Sequence, residues 1–261
     1  MIDAGSFTVI RLISGIVILS LLIQIDSEES KPRKSWTAPI ALFVYAVTFS
    51  FAYLSLETGI GALVLFGVVQ ITMIVATLIA GERLRPSEWV GVFLAFAGLT
   101  YLNLPGVEAP SLLGVLLMSA AGIAWGVYTL LGRGSDAPLR ETQINFVRTA
   151  PFIAILLAVS LWNASLTLAS MTIEGVVLAI LSGGLASGIG YAIWYSALSR
   201  ISSLQAAVVQ LSVPLLAAIG GIMLLSESMT WRLGISGLLI LGGILIVILG
   251  KQRNAPLQSS R

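Results

Sequence analysis

The chain has 261 residues, of which 57% are hydrophobic and 10% charged, and its 14 Lys and Arg against 12 Asp and Glu leave a formal net charge of +2. A soluble domain carries about 25% charged residues, whereas here the charges gather at short interruptions between long apolar segments, which places the chain in a membrane. The absence of Cys and His excludes disulfides, thiolate nucleophiles, Cys/His metal sites and imidazole acid–base chemistry. No cofactor or metal is expected, and the basic residues flank membrane segments rather than forming a nucleic-acid surface.

Backbone groups in hydrocarbon must pair within their own segment, so the apolar runs are expected to be helices of roughly 20 residues. They lack the period-two alternation of a membrane barrel. In chain order the expected spans are 5–25, 36–56, 60–80, 88–104, 111–132, 143–162, 174–198, 203–225 and 232–250. The breaks carry turn and charge signals: Asp26-Ser27-Glu28-Glu29 with Lys31 to Lys34, Glu57-Thr58-Gly59, Glu82 to Pro86, Pro105-Gly106, Gly132 to Asp136, Asn163 to Thr172, Ser199-Arg200 and Glu227-Ser228. The fold class is thus an all-α polytopic membrane protein of about nine transmembrane helices. No soluble domain fits anywhere. The first apolar stretch runs on as a full span, without the cleavage site of a signal peptide.

Lys31, Arg33, Lys34, Arg83, Arg85, Arg133, Arg140, Arg200, Lys251, Arg253 and Arg261 fall in one alternate set of loops and the tail, against Arg232 alone in the other set. By the positive-inside rule the C-terminus is cytoplasmic, and with nine spans the N-terminus, as given, is external. The expected localisation is the cell (inner) membrane.

Shifting the sequence by 145 residues brings Ala52 onto Ala197, Ala62 onto Ala207, Glu82 onto Glu227 and Gly98 onto Gly243. Arg11 and Arg148, each early in a span, correspond at a slightly different offset. The matched segments are five spans apart, an odd number, so the halves face opposite ways. Inverted repeats of this kind are a common plan of secondary transporters, with solute held near the midplane.

On Ala124-Trp125-Gly126-Val127-Tyr128, Phe146-x-Arg148, Ala197-Leu198-Ser199, and Pro214 thirteen residues before Glu227, the whole chain resembles the EamA-type members of the drug/metabolite transporter superfamily. The resemblance implies two five-helix inverted halves with both ends cytoplasmic. This chain departs from that plan, because nothing precedes the Arg11 helix. The halves are then 1–107, without the first family helix, and 108–253, a 4 + 5 arrangement followed by a cytoplasmic tail, 254–261. Either the start codon is assigned too late, which is the favoured reading, or the chain is a nine-helix variant.

Candidate site residues follow. An arginine at a helix centre costs at least ~2.5–3.5 kcal/mol on insertion scales, so Arg11 and Arg148 either snorkel toward headgroups or face a cavity. Topology suggests two symmetry-related charge pairs between the halves, Arg148 with Glu82 and Arg11 with Glu227; the alternative is that both glutamates merely end their helices. Trp125 and Tyr128, three apart inside a span, with Tyr191, Trp194 and Tyr195 are candidate cavity-lining aromatics, of which Trp125, Tyr128 and Tyr191 are taken as solute-binding. Trp36, Trp89, Trp162 and Trp231 read instead as interfacial belt residues. Gln70 and Gln210 are mid-span amides that bind solute or a neighbouring helix. Gly122-x-x-x-Gly126 and Gly184-x-x-x-Gly188 allow close helix approach, and Pro39, Pro151 and Pro214 lie where they can kink a helix. The Asn163-Ala164-Ser165 triplet is read as a chance match to a glycosylation sequon.

The expected function is secondary transport of a small metabolite or drug-like solute by alternating access, as an exporter if the family suggestion holds. The alternative is a non-transporting scaffold or accessory subunit. An enzyme is not expected, for want of a nucleophile–base pair, and no Gly-x-x-x-x-Gly-Lys-[Ser/Thr] loop offers direct ATP driving. The partners expected are the lipid bilayer, the small-molecule solute and, as a way to restore a missing wall, a second copy in a homodimer.

Overall fold

The computed structural model describes residues 2–25, 35–103, 110–162, 171–225 and 230–252. Among them every regular element is helical: α1 (Ala4–Ile23), α2 (Thr37–Ala52), α3 (Thr58–Ile79), α4 (Pro86–Asn103), α5 (Leu112–Gly132), α6 (Pro138–Val147), α7 (Ala150–Trp162), α8 (Ile173–Leu181), a π-helical stretch (Ser182–Ile189), α9 (Gly190–Leu198), α10 (Ser203–Val209), α11 (Ser212–Leu225) and α12 (Trp231–Gln252). The expected turn at Asp26 to Lys34, the Pro105-Gly106 break, the Asn163-Ala164-Ser165 triplet, Glu227-Ser228 and the tail 254–261 lie outside the described residues.

Helix fills each of the nine expected apolar segments, and seven of the helical stretches are long and apolar enough to cross a membrane. Thr37–Ala52 is shorter; at 1.5 Å per residue it spans about 24 Å, less than a hydrocarbon core of about 30 Å. Pro86–Asn103 is long enough but spends its ends on Ser87, Glu88 and Asn103, and is not among the seven. Rows of outward apolar side chains, such as Leu238, Leu241, Leu245 and Leu249 on α12, recur at helical spacing. In water such stripes would aggregate, whereas in a bilayer acyl chains solvate them.

The prolines explain the broken helices. Pro151 and Pro214 cannot donate to the carbonyls four residues back, those of Val147 and Gln210. The helices break there, between α6 and α7 at Arg148-Thr149 and between α10 and α11 at Gln210-Leu211. Local bonds form at both breaks: Thr149 Oγ1 donates to the Phe146 carbonyl at 2.6 Å, and Val213 N–H donates to the freed Gln210 carbonyl at 3.1 Å. Pro39 sits in the first turn of α2, where its missing donor costs nothing. Pro138 likewise opens α6, so this helix begins five residues earlier than the expected span and takes in Arg140 and Glu141.

The described chain forms two compact units that do not follow the two sequence halves. One unit holds residues 1–57 and 110–201, the other 58–109 and 202–261, and each draws on both halves. In the first, α1 lies against α2, α6, α7, α8 and the π stretch, and α2 lies along α5. In the second, α3 meets α10 and α4 lies along α12 over a core that includes Val92, Ala95, Leu99, Val208, Leu211, Ile240 and Val247.

Glycines set the α4–α12 approach. A Cβ at Gly243 would stand 2.5 Å from the Gly91 carbonyl oxygen and 2.6 Å from Ala95 N, and one at Gly91 would stand 2.7 Å from the Gly243 carbonyl oxygen. Backbone, unlike a flexible side chain, cannot step aside. Gly243→Val is therefore expected to destabilise this unit by at least ~2 kcal/mol, read as a fall in the thermal midpoint of purified protein of roughly 5–10 °C. An unchanged midpoint would show that the two helices can separate at little cost.

Candidate functional site

Arg11 is the eighth residue of α1, about 10 Å along the helix from Ala4 at 1.5 Å per residue. It is 5% exposed, so it does not snorkel into lipid or headgroups. Small residues on the facing elements let the side chain bury. A Cβ at Gly183 would collide with the Arg11 carbonyl and Ser14 Oγ, and a Cβ at Gly15 with the Phe146 ring. The π stretch supplies Gly183, α1 itself supplies Gly15, and the π stretch with the start of α9 brings Ser187 and Tyr191 to the guanidinium. Nε donates to Ser187 Oγ and Nη2 to Tyr191 Oη, both at 2.9 Å.

Aromatic rings enclose the charge. The guanidinium carbon lies 5.4 Å from the Tyr45 ring and 5.5 Å from that of Phe49, which are four apart on α2. Tyr45 meets Trp125 at 4.9 Å, Trp125 meets Tyr191 at 4.6 Å, and Tyr128 meets Tyr195 at 4.9 Å between centroids. Tyr128 and Tyr195 are fully buried, and the Tyr195 hydroxyl donates to the Tyr128 carbonyl at 3.0 Å. Trp125, Phe49 and Tyr191 are only half-buried. A cation–π contact at a desolvated site is worth about 2 kcal/mol, and aromatic pairs add about 0.5–1.5 kcal/mol each. Neither supplies a counter-charge.

Five of the residues singled out in the sequence thus meet in the first unit: Arg11, Trp125, Tyr128, Tyr191 and Tyr195. Tyr45, Phe49 and Ser187 complete the cluster without having been singled out. Tyr45 and Phe49 at i, i+4 were the available signal, while Ser187 is one serine among many. Beyond the cluster, a cavity of about 40 Å³ is lined by Ser35, Glu141, Asn145 and Tyr195, among others.

The other candidates have their own surroundings within each unit. Arg148 donates to the Ser35 carbonyl at 3.0 Å and lies 5.7 Å over the Trp36 ring, in the first unit. Glu82, in the second unit, lines a cavity of about 140 Å³ with Arg83, Arg85 and Glu88. Arg85 N–H there donates to the Glu88 carboxylate at 2.8 Å and caps α4. Glu227, the expected partner of Arg11, lies outside the described residues.

Gln70 and Gln210 belong to the second unit. Gln210 Nε2 donates to the Ala206 carbonyl at 3.1 Å and approaches Met73 Sδ at 3.4 Å. Gln70, one turn before Met73 on α3, is 3% exposed, and neither its Nε2 nor its Oε1 has a partner among the described residues. A buried unpaired amide costs about 1–3 kcal/mol. Gln70→Leu is accordingly expected to raise the thermal midpoint by a few degrees in solute-free detergent. A fall instead would show that the amide has a partner that stabilises it.

The EamA-like transporter family matches residues 112–249. An uncharacterised protein of Pseudomonas aeruginosa is 48% identical over 95% of this chain and 85% of its own length. An Escherichia coli protein named "Probable amino-acid metabolite efflux pump" is 25% identical over 80% of this chain and 76% of its own. A solved crystal structure superposes with a TM-score of 0.77 at 19% identity, covering 95% of this chain and 90% of that one, which establishes a shared fold. With its membrane-competent helices, this multi-pass membrane protein belongs to the EamA-like transporter family.

Proposed function

We propose that the chain is a secondary transporter that exports a small metabolite or drug-like solute from the cell by alternating access. The observation that carries this reading is Arg11, a buried charge inside a membrane-competent helix, held by neutral side chains and set among aromatics of which Phe49, Trp125 and Tyr191 are only half-buried. Buried intramembrane charges are costly and mark solute or ion pathways. Trp125 and Tyr191 then line the binding site, with the buried Tyr128 packed behind them. Membership of a transporter family supports the reading, and the printed name of the Escherichia coli relative suggests amino-acid metabolites as the solutes.

In this reading nine spans form two inverted repeats, 1–107 and 108–253, inserted in the inner membrane with the C-terminus cytoplasmic. The absence of native cysteine makes single-cysteine mapping clean. Cys at Glu57 is expected to react with an impermeant thiol reagent added outside intact cells, and Cys at Ser199 only once the cytoplasmic face is opened. The opposite pattern would overturn the orientation.

Transport itself is tested with purified protein in liposomes preloaded with a mixture of amino acids, N-acyl amino acids and short carboxylic acids. Counterflow of at least one labelled solute, abolished by Trp125→Ala, is the expected result. No flux of any solute from correctly folded protein would favour a scaffold or accessory subunit.

A further inference from the structure

Arg11 carries a charge with no counter-charge among the described residues. Its two hydrogen-bond partners, Ser187 and Tyr191, and the rings of Tyr45 and Phe49 are all neutral. The described carboxylates of its unit are Asp3, Glu57, Asp136, Glu141 and Glu174. Asp3 accepts from Ser6 and caps α1, Glu174 lies in the first turn of α8, and none of the five bonds to Arg11. Hydroxyl dipoles and ring quadrupoles soften the desolvation of a buried cation without neutralising it.

The guanidinium fork has five N–H donors, of which Nε and Nη2 donate to described residues, Ser187 and Tyr191. Its geometry matches a carboxylate through two parallel bonds, which are short and roughly twice as strong as neutral ones. A hydroxyl partner is readily exchanged for such a group. Beside the fork stand the half-buried rings of Trp125, Tyr191 and Phe49, suited to an apolar body. Nothing described there offers a carboxylate to receive an ammonium group.

Resting on the transporter reading of this same site, we infer that the solute is a net organic anion, whose single carboxylate docks on the Arg11 fork and whose apolar body lies against the aromatic wall. A zwitterion brings an ammonium that the site must desolvate without a partner. An amide brings no charge for Arg11.

The test uses three solutes with one skeleton: 3-phenylpropionate, 3-phenylpropionamide and L-phenylalanine. Each is titrated calorimetrically into the full chain in neutral detergent. The expected order is the acid at least tenfold tighter than the amide, and tighter than the zwitterion. Arg11→Gln is expected to erase the acid–amide difference. Arg11→Lys is expected to keep the preference at lower affinity, which guards against mere misfolding. Equal binding of acid and amide, tighter binding of the zwitterion, or no binding of the acid overturns the inference. So does Glu227→Gln raising acid affinity tenfold, because Glu227 would then already hold Arg11. Counterflow of another solute in a protein that fails these tests leaves the transporter reading standing, whereas absence of all flux removes that reading itself.

Discussion

Gly183→Val is expected to leave little correctly folded protein. Of the close approaches at glycines, the one at Gly183 is the tightest: an added Cβ would overlap the Arg11 carbonyl and Ser14 Oγ. The carbonyl belongs to the α1 backbone and accepts from Ser14 Oγ at 3.0 Å, so relief requires α1 to move off the π stretch. That movement would pull Arg11 from Ser187 and Tyr191 and expose a charge in an apolar setting. Overpacking alone costs about 1–3 kcal/mol, and loss of partners around a buried charge adds about 3–5 kcal/mol. Together these approach the whole stability of an ordinary domain, about 5–15 kcal/mol. Gly184→Ala is the control one residue away. Its Cβ would meet a side-chain atom, Ile18 Cγ1, at 2.9 Å and no backbone closer than 3.8 Å, so it should cost about 1–2 kcal/mol, well short of Gly183→Val. The readout is the yield of monodisperse protein on size exclusion. A monodisperse Gly183→Val protein with an unshifted thermal midpoint would mean that α1 and the π stretch are not locked together.

The same junction shows where sequence reasoning ends. Helical elements are legible because hydrocarbon forces each apolar run to satisfy its own backbone, and the breaks at Arg148-Thr149 and Gln210-Leu211 are legible because Pro151 and Pro214 withhold a donor. Trp125 and Tyr128 are legible as a pair, since three-residue spacing puts both on one helix face. A π-helix is different. Its extra residue per turn gives no periodic apolar signal, and the Gly-rich run Gly183-Gly184, Gly188, Gly190 fits close packing, gating and a π turn equally. π turns also occur often at functional sites. Ser187 becomes informative only when Arg11, 176 residues earlier, is placed beside it. Pairings of that kind belong to tertiary structure, and a single chain carries no local mark of them. The division into units was hidden for a related reason: the halves expected from the sequence follow the chain order, whereas each compact unit draws on both of them.

Arg11→Met is expected to separate stability from function. Methionine has a similar length, no charge, and a flexible thioether that fills irregular space. Replacing a buried charge by an apolar side chain of similar volume is often neutral or stabilising by about 1–4 kcal/mol. Against that gain stand Ser187 Oγ and Tyr191 Oη, which each lose a hydrogen bond worth about 0.5–1.5 kcal/mol net. Ser187 can recover one by turning to the backbone of its own helix, as Thr8 and Thr77 do at 2.7 and 2.8 Å. The two sides nearly cancel, so the thermal midpoint should stay within a few degrees of wild type. Flux should not. If the fork binds the solute, removing a charge-assisted pair of hydrogen bonds, about 1.5–3 kcal/mol each, lowers the counterflow rate at subsaturating solute by roughly 100-fold. A purely structural arginine would give the opposite pattern, with folding impaired and any surviving protein transporting at the wild-type rate per molecule. The two readings of Arg11 therefore predict opposite outcomes in the same pair of measurements, a melting curve and a flux assay on one variant.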